Sequence, residues 1–272
     1  MATTRRSLIA ASAVSAAIAT PASATRRRQS PSKTFVLVHG TWHGGWVWAR
    51  VADLLVAMGH KVIRPTATGC GERAHLIRPE TDLSTHVQDI CAAIESEELE
   101  NVILIGHSFG GITTTGVADR LGARIKHLVF YDAFIPTRAR PAWVMPEPDG
   151  TWPKWWMDRQ AKFVDGYKMI FFDNYPLKML VPETDIPNTQ LLQRRLTWHP
   201  AGQWTEAVSF ENGGWEDVPR TYIHTTLQTL APSSQAMWGP GKGAGWNWID
   251  VATARDGMLT HPQVLAECFA GL

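Results

Sequence analysis

Gly106-His107-Ser108-Phe109-Gly110 fits the pattern G-x-S-x-G and stands between an apolar run and a helix-like segment. A serine on a sharp strand-to-helix turn has its hydroxyl lifted clear of the sheet. Glycines flank it where the turn leaves no room for a Cβ. The chemistry of such a residue is nucleophilic attack on an acyl carbon. A second element, His39-Gly40-Thr41-Trp42, closes an earlier apolar run. A glycine turn there lets the N–H of Thr41 face the same point as the N–H of Phe109, and two such donors make an oxyanion hole for a tetrahedral intermediate. The chain carries no P-loop, no dinucleotide glycine motif and no metal-ligand spacing, so neither cofactor nor metal is expected.

These residues need a scaffold, and the hydrophobic pattern supplies one. The runs Thr34–His39, Lys61–Pro65, Asn101–Gly106 and Ile125–Tyr131 read as strands, the most apolar of them buried on both faces. Arg220–Thr225 and Trp246–Thr253 read as two more. Val51, Leu54, Leu55 and Met58 keep helical spacing up to Gly59. Asp82 is placed to cap a helix with Leu83, Val87, Ile90 and Ile94 on one face. Gly110–Leu121 and Pro262–Phe269 read as further helices. Strands separated by helices predict an α/β fold: a mostly parallel sheet of about six strands, helices on both faces. Residues 135–218 break the alternation. They are rich in Pro, Trp and Met, too long for a simple loop, and read as an inserted helical cap or lid on a core formed by 34–134 and 219–272.

The composition narrows the partners. Among 272 residues, 44% are hydrophobic and 19% charged, and the formal net charge is +1. That excludes a disordered chain and gives no electrostatic case for nucleic acid. The N-terminus reads as an export signal: Arg5-Arg6, an Ala-rich apolar run from Leu8 to Ala19, then the cleavage pattern Ala22-Ser23-Ala24. The paired arginines are of the twin-arginine type, which carries folded cargo. The run is too short to span a bilayer, so no stable membrane anchor is expected after removal of residues 1–24. Residues 25–33 read as a flexible leader, and the location as periplasmic or secreted. Cys70, Cys91 and Cys268 are odd in number and read as packing thiols. The sequence does not give the oligomeric state.

Taken together, several segments resemble the α/β-hydrolase superfamily, and within it the small capped esterases similar to plant methylesterases and hydroxynitrile lyases. The segments are FVLVHGTWHGGWVW from Phe35, GCGERAHL from Gly69, GHSFGG from Gly106, VFYDAFIP from Val129 and TARDGMLTHP from Thr253. The resemblance spans roughly 34–272 and implies a serine–histidine–acid triad. Ser108 matches the nucleophile. Asp132, just after the fourth strand, matches an acid position found in some relatives; the more usual one, near Leu227-Gln228, holds no carboxylate. The histidine is missing. Relatives carry Gly-His, two residues, then Met, and the matching stretch here is Ala254-Arg255-Asp256-Gly257-Met258. Arg255 therefore stands where the base should be, and a guanidinium has no acceptor for the serine proton. An ion pair between Arg255 and Asp132 is the expectation. A clamp on a substrate carboxylate is the alternative. His224, at the end of the fifth strand, is the first candidate for a substitute base. His107 is expected to turn away from the nucleophile, and His39, His75, Glu72, Arg73 and His261 read as structural.

The cap suggests the ligand. The sequence has 13 tryptophans against 4 tyrosines, and Trp143, Trp152, Trp155 and Trp156 lie close together in the insertion. With Trp42 and His43 they are expected to line a pocket for a small apolar or aromatic ester-like substrate. Three readings stay open: an exported hydrolase of carboxylic esters or related acyl bonds, a weakened family member that binds a small apolar ligand, and a non-hydrolytic, lyase-like enzyme. The resemblance weighs against cyanohydrin cleavage. Hydroxynitrile lyases of this family carry threonine at the position of Gly40 and lysine at that of Asp256.

Overall fold

The computed structural model describes residues 31–172, 175–227 and 245–272. The expected export signal, most of the expected leader and most of the glycine-rich Gly239–Gly245 stretch lie outside the described residues.

Six strands form one sheet: β1 (Thr34–Val38), β2 (Lys61–Ile63), β3 (Val102–His107), β4 (Ile125–Tyr131), β5 (Arg220–Thr225) and β6 (Asn247–Val251). Their order is β2-β1-β3-β4-β5-β6, and every neighbouring pair is parallel. β3 is buried along its whole length, as a central strand covered on both faces must be. Edge strand β2 stops at Ile63, short of the expected Pro65, a residue with no N–H for a ladder. Helix α1 (Ala49–Ala57) packs against the final helix, Pro262–Ala270, and α2 (Leu83–Ser96) packs against α3 (Gly110–Leu121). The Asp82 side chain caps α2 by accepting from the Thr85 N–H at 2.8 Å.

Register decides where the chemistry falls. Val38 lies opposite Gly106, His107 opposite Tyr131, and Tyr131 opposite Ile223. The residues that follow these strand ends, 39–42, 108 and 132, therefore emerge side by side at the carboxyl edge of the sheet, where open α/β sheets bind ligands.

Ser32–Leu272 form one compact unit. Within it, the stretch between β4 and β5 folds down onto that edge. It contains helices Lys154–Gln160 and Ile186–Arg195 and a two-residue antiparallel ladder, Lys168–Met169 with His199–Pro200. Trp42 ties it to the core. Its Nε1 donates to the Met169 carbonyl at 3.2 Å, and its own carbonyl accepts from the Thr197 N–H at 3.1 Å.

Candidate active site

Ser108 sits between β3 and α3 at φ +55°, a left-handed conformation that costs a non-glycine residue of order 1–3 kcal/mol. Close packing enforces it. A Cβ on Gly106 would lie 2.6 Å from the Gly110 carbonyl oxygen, and one on Gly40 would lie 2.8 Å from the Ser108 Cβ. The Gly40 turn thus presses directly on the Ser108 Cβ. The Ser108 carbonyl accepts from the Gly111 and Phe134 N–H groups at 3.1 and 3.0 Å, which pins the turn from both sides. The N–H groups of Thr41 and Phe109 have no acceptor among the described residues, and the buried Thr41 hydroxyl is also unpartnered. Thr41, Ser108 and Phe109 line one cavity, so unused donors and nucleophile share a wall.

Asp132 also has a left-handed backbone, φ +40°, and its N–H donates to the Ile223 carbonyl at 2.8 Å. Arg255 bridges Asp132 and Ser108. Its Nη1 donates to Asp132 Oδ2, and its Nη2 donates to Ser108 Oγ at 2.6 Å. Both charged residues are buried, Arg255 at 5% exposure and Asp132 at 2%. Burial pushes the Asp132 carboxyl above the usual carboxylate range, and the Arg255 guanidinium is the strongest influence against that rise. Ser108 Oγ is an acceptor in this contact. Its own proton is free to point elsewhere, and a cation stands beside any negative charge that develops on the oxygen.

No histidine fills the gap. His224 is tied elsewhere: its Nδ1 lies 3.1 Å from Asp250 Oδ1, its ring lies against Trp248, and it does not line the cavity. The pleat of β5 is the reason, because His224 pairs in register with Asp250. The substitute-base expectation for His224 is therefore corrected. His43 does line the cavity, yet both its nitrogens face acceptors, the Thr41 carbonyl at 2.8 Å and Asp256 Oδ2 at 3.0 Å. Neither is left to take a proton from Ser108. His107 borders the cavity, and its ring packs on Trp48 and Tyr131, away from Ser108, as expected. Its Nε2 approaches Asp256 Oδ1 at 3.8 Å, and burial, then repulsion by Arg255, holds it neutral far below the ordinary imidazole range. His39 is structural: its Nε2 accepts from the Ala67 N–H at 3.1 Å.

The cavity measures about 130 Å³. Trp42, His43 and Trp143 line it, but Trp152, Trp155 and Trp156 do not. The short helix Lys154–Gln160 explains the last two. It turns Trp156 inward to stack on Trp204, with centroids 5.9 Å apart, and leaves Trp155 44% exposed. Trp152 packs half-buried on the core. The apolar wall comes instead from Phe134, Phe171, Tyr175, Met179, Leu180 and Trp204, with Trp204 stacked on Phe109 at 4.6 Å. The sequence places Phe171 near the cap tryptophans but does not reveal the other five as lining, nor the pairing of His43 with Asp256. A carboxylate in the buried stretch Ala254–Leu259 was a usable signal, since such a group requires a partner. Among the described residues no three His, Cys, Asp or Glu converge as metal ligands.

Comparison with known proteins agrees with this fold. The family model described as "Alpha/beta hydrolase family" matches residues 35–267. A carbendazim hydrolyzing esterase of Nocardioides sp. (strain SG-4G) is 34% identical over 88% of this chain and 98% of that protein. Methylesterase 2 of Arabidopsis thaliana is 29% identical over 75% of this chain and 81% of its own length. Among solved structures, an extracellular alpha/beta-hydrolase from a Paenibacillus species superposes with a TM-score of 0.70 at 21% identity, covering 88% of this chain and 98% of that one.

Proposed function

This chain belongs to the alpha/beta hydrolase family, and we propose that it is an exported serine hydrolase of carboxylic esters or related acyl bonds with an atypical triad, Ser108–Arg255–Asp132. The observation that carries this is the Arg255 guanidinium held between the Asp132 carboxylate and Ser108 Oγ, at the floor of an apolar cavity with unused backbone donors. Ser108 Oγ attacks the acyl carbon, and the N–H groups of Thr41 and Phe109 receive the oxyanion. Arg255 stabilises charge on the serine oxygen and takes no proton. The serine proton leaves with the alcohol, and water then hydrolyses the acyl-serine. A missing triad base costs on the order of 10⁴–10⁶ in turnover, so simple esters turn over slowly. Trp42, Trp143 and the other aromatic rings favour an aromatic or apolar acyl ester, in keeping with the esterases among its relatives.

The same contact supports a second reading. A serine engaged by arginine suits a family member that binds a small apolar ligand with little turnover. The mature chain assayed on a panel of aromatic esters beside Ser108→Ala separates the two. Slow hydrolysis that disappears in Ser108→Ala supports the hydrolase; hydrolysis indifferent to the substitution refutes it. Export is supported by Arg5-Arg6 and Ala22-Ser23-Ala24. N-terminal sequencing of periplasmic protein is expected to begin at Thr25, and an intact Met1 there overturns that assignment.

A further inference from the structure

The catalytic cavity is small for the substrate just proposed. It measures about 130 Å³, whereas sites for drug-sized ligands run about 300–1,000 Å³. A second recess of about 360 Å³ lies against the cap, walled by Ile170, Phe171, Phe172, Leu196 and Trp198. Phe171 belongs to both walls. Its ring meets Trp42 at 5.2 Å and Tyr175 at 5.9 Å on the inner side, and Phe172 at 5.6 Å toward the recess. One buried ring therefore divides the two spaces.

The recess is chemically plain. Thr197 is its polar side chain, and that hydroxyl already accepts from the Gly71 N–H at 3.0 Å. Its aromatic walls are nevertheless open to solvent, Phe172 at 49% and Trp198 at 42% exposure. The Lys168 ammonium, 4.6 Å over the Trp198 ring, holds that indole in place. Exposed aromatic surface around a recess that adjoins the nucleophile's cavity marks a binding surface.

We infer that the recess is the outer lobe of a two-part substrate site. It takes an apolar arm of the ester, while the inner cavity holds the reacting acyl centre and Phe171 separates the lobes. This deepens the hydrolase reading and rests on it for the identity of the occupant. The arm is apolar, because Ile170, Phe171, Phe172, Leu196 and Trp198 make the wall and the Thr197 hydroxyl is already engaged by Gly71.

Isothermal titration calorimetry with para-alkylphenols, from ethyl to octyl, reads the two lobes without turnover. The wild type is expected to gain about fourfold in affinity per added methylene, roughly 0.8 kcal/mol each, once the chain passes Phe171. Trp198→Ala flattens that gain for the long members and leaves the ethyl member unchanged. Phe171→Trp, which thickens the divider, does the same. A chain-length dependence identical in wild type and both variants overturns the inference. So does a dimer seen by sedimentation that Trp198→Ala abolishes while phenol affinities stay unchanged, because a second copy then covers the recess. An inert Ser108 leaves these titrations unaffected, so failure of the hydrolase reading and failure of the two-lobed site are told apart.

Discussion

The two sides of the cavity floor pair a carboxylate with different kinds of side chain. On one side Asp132 holds a guanidinium that also reaches Ser108; on the other Asp256 holds the His43 imidazole. The two pairs meet in the chain, since Arg255 and Asp256 are consecutive. Imidazoles are plentiful nearby: His39, His43, His86, His107 and His199 are all buried. Yet the position beside Ser108 holds a guanidinium, which has no lone pair to offer. The difference teaches that the supply of histidine around a serine elbow does not determine its chemistry. The single side chain that touches Oγ does.

Acid should act most strongly on the buried imidazoles around the floor. Burial lowers His39 to about 3 and His86 to about 4, and holds His107 and His199 well below the ordinary 6.5. These rings are neutral in the fold. Above 6.5 both folded and unfolded chains leave them neutral, and their stability contribution is complete. As pH falls through 6.5 the unfolded chain binds protons first. Each ring then removes about 1.4 kcal/mol of stability per pH unit until its folded value is reached. Urea midpoints are expected to fall steeply between about pH 6.5 and 4, and a flat midpoint over that range would contradict the burial argument.

The two carboxylates should also differ. Asp132→Ala strands a buried guanidinium and is expected to cost about 3–5 kcal/mol. Asp256→Asn keeps an acceptor for His43 and is expected to cost less, about 1–3 kcal/mol. Denaturant unfolding of the two variants checks the order, and a larger loss for Asp256→Asn would invert the comparison.

How much of this was legible depends on distance along the chain. The strands and α3 were readable because buried apolar runs and helical spacing are local. The Gly106–Gly110 turn was readable because strand, glycine and helix follow within a few residues. Arg255 was located by resemblance to capped esterases, and no composition or periodicity pointed to it. The cavity wall was read poorly. Trp143 lines it, while Trp155 and Trp156 were displaced by the orientation of one short helix, and Trp204 was overlooked although Phe109 stacks on it. Cap residues take their roles from what they meet in space. His43 and Asp256 lie 213 residues apart, and a single sequence carries no periodicity that joins them.

The central claim is that Arg255 leaves Ser108 without a base. Turnover of one aromatic ester by wild type and Arg255→His tests it directly. The nucleophile, the acid and the backbone donors stay in place, so kcat/KM is expected to rise about ten- to hundredfold. That is well short of the ~10⁴–10⁶ attached to a native base, because the surroundings are shaped for a guanidinium. A wild-type kcat on the order of 10 s⁻¹ that falls in Arg255→His would contradict the claim.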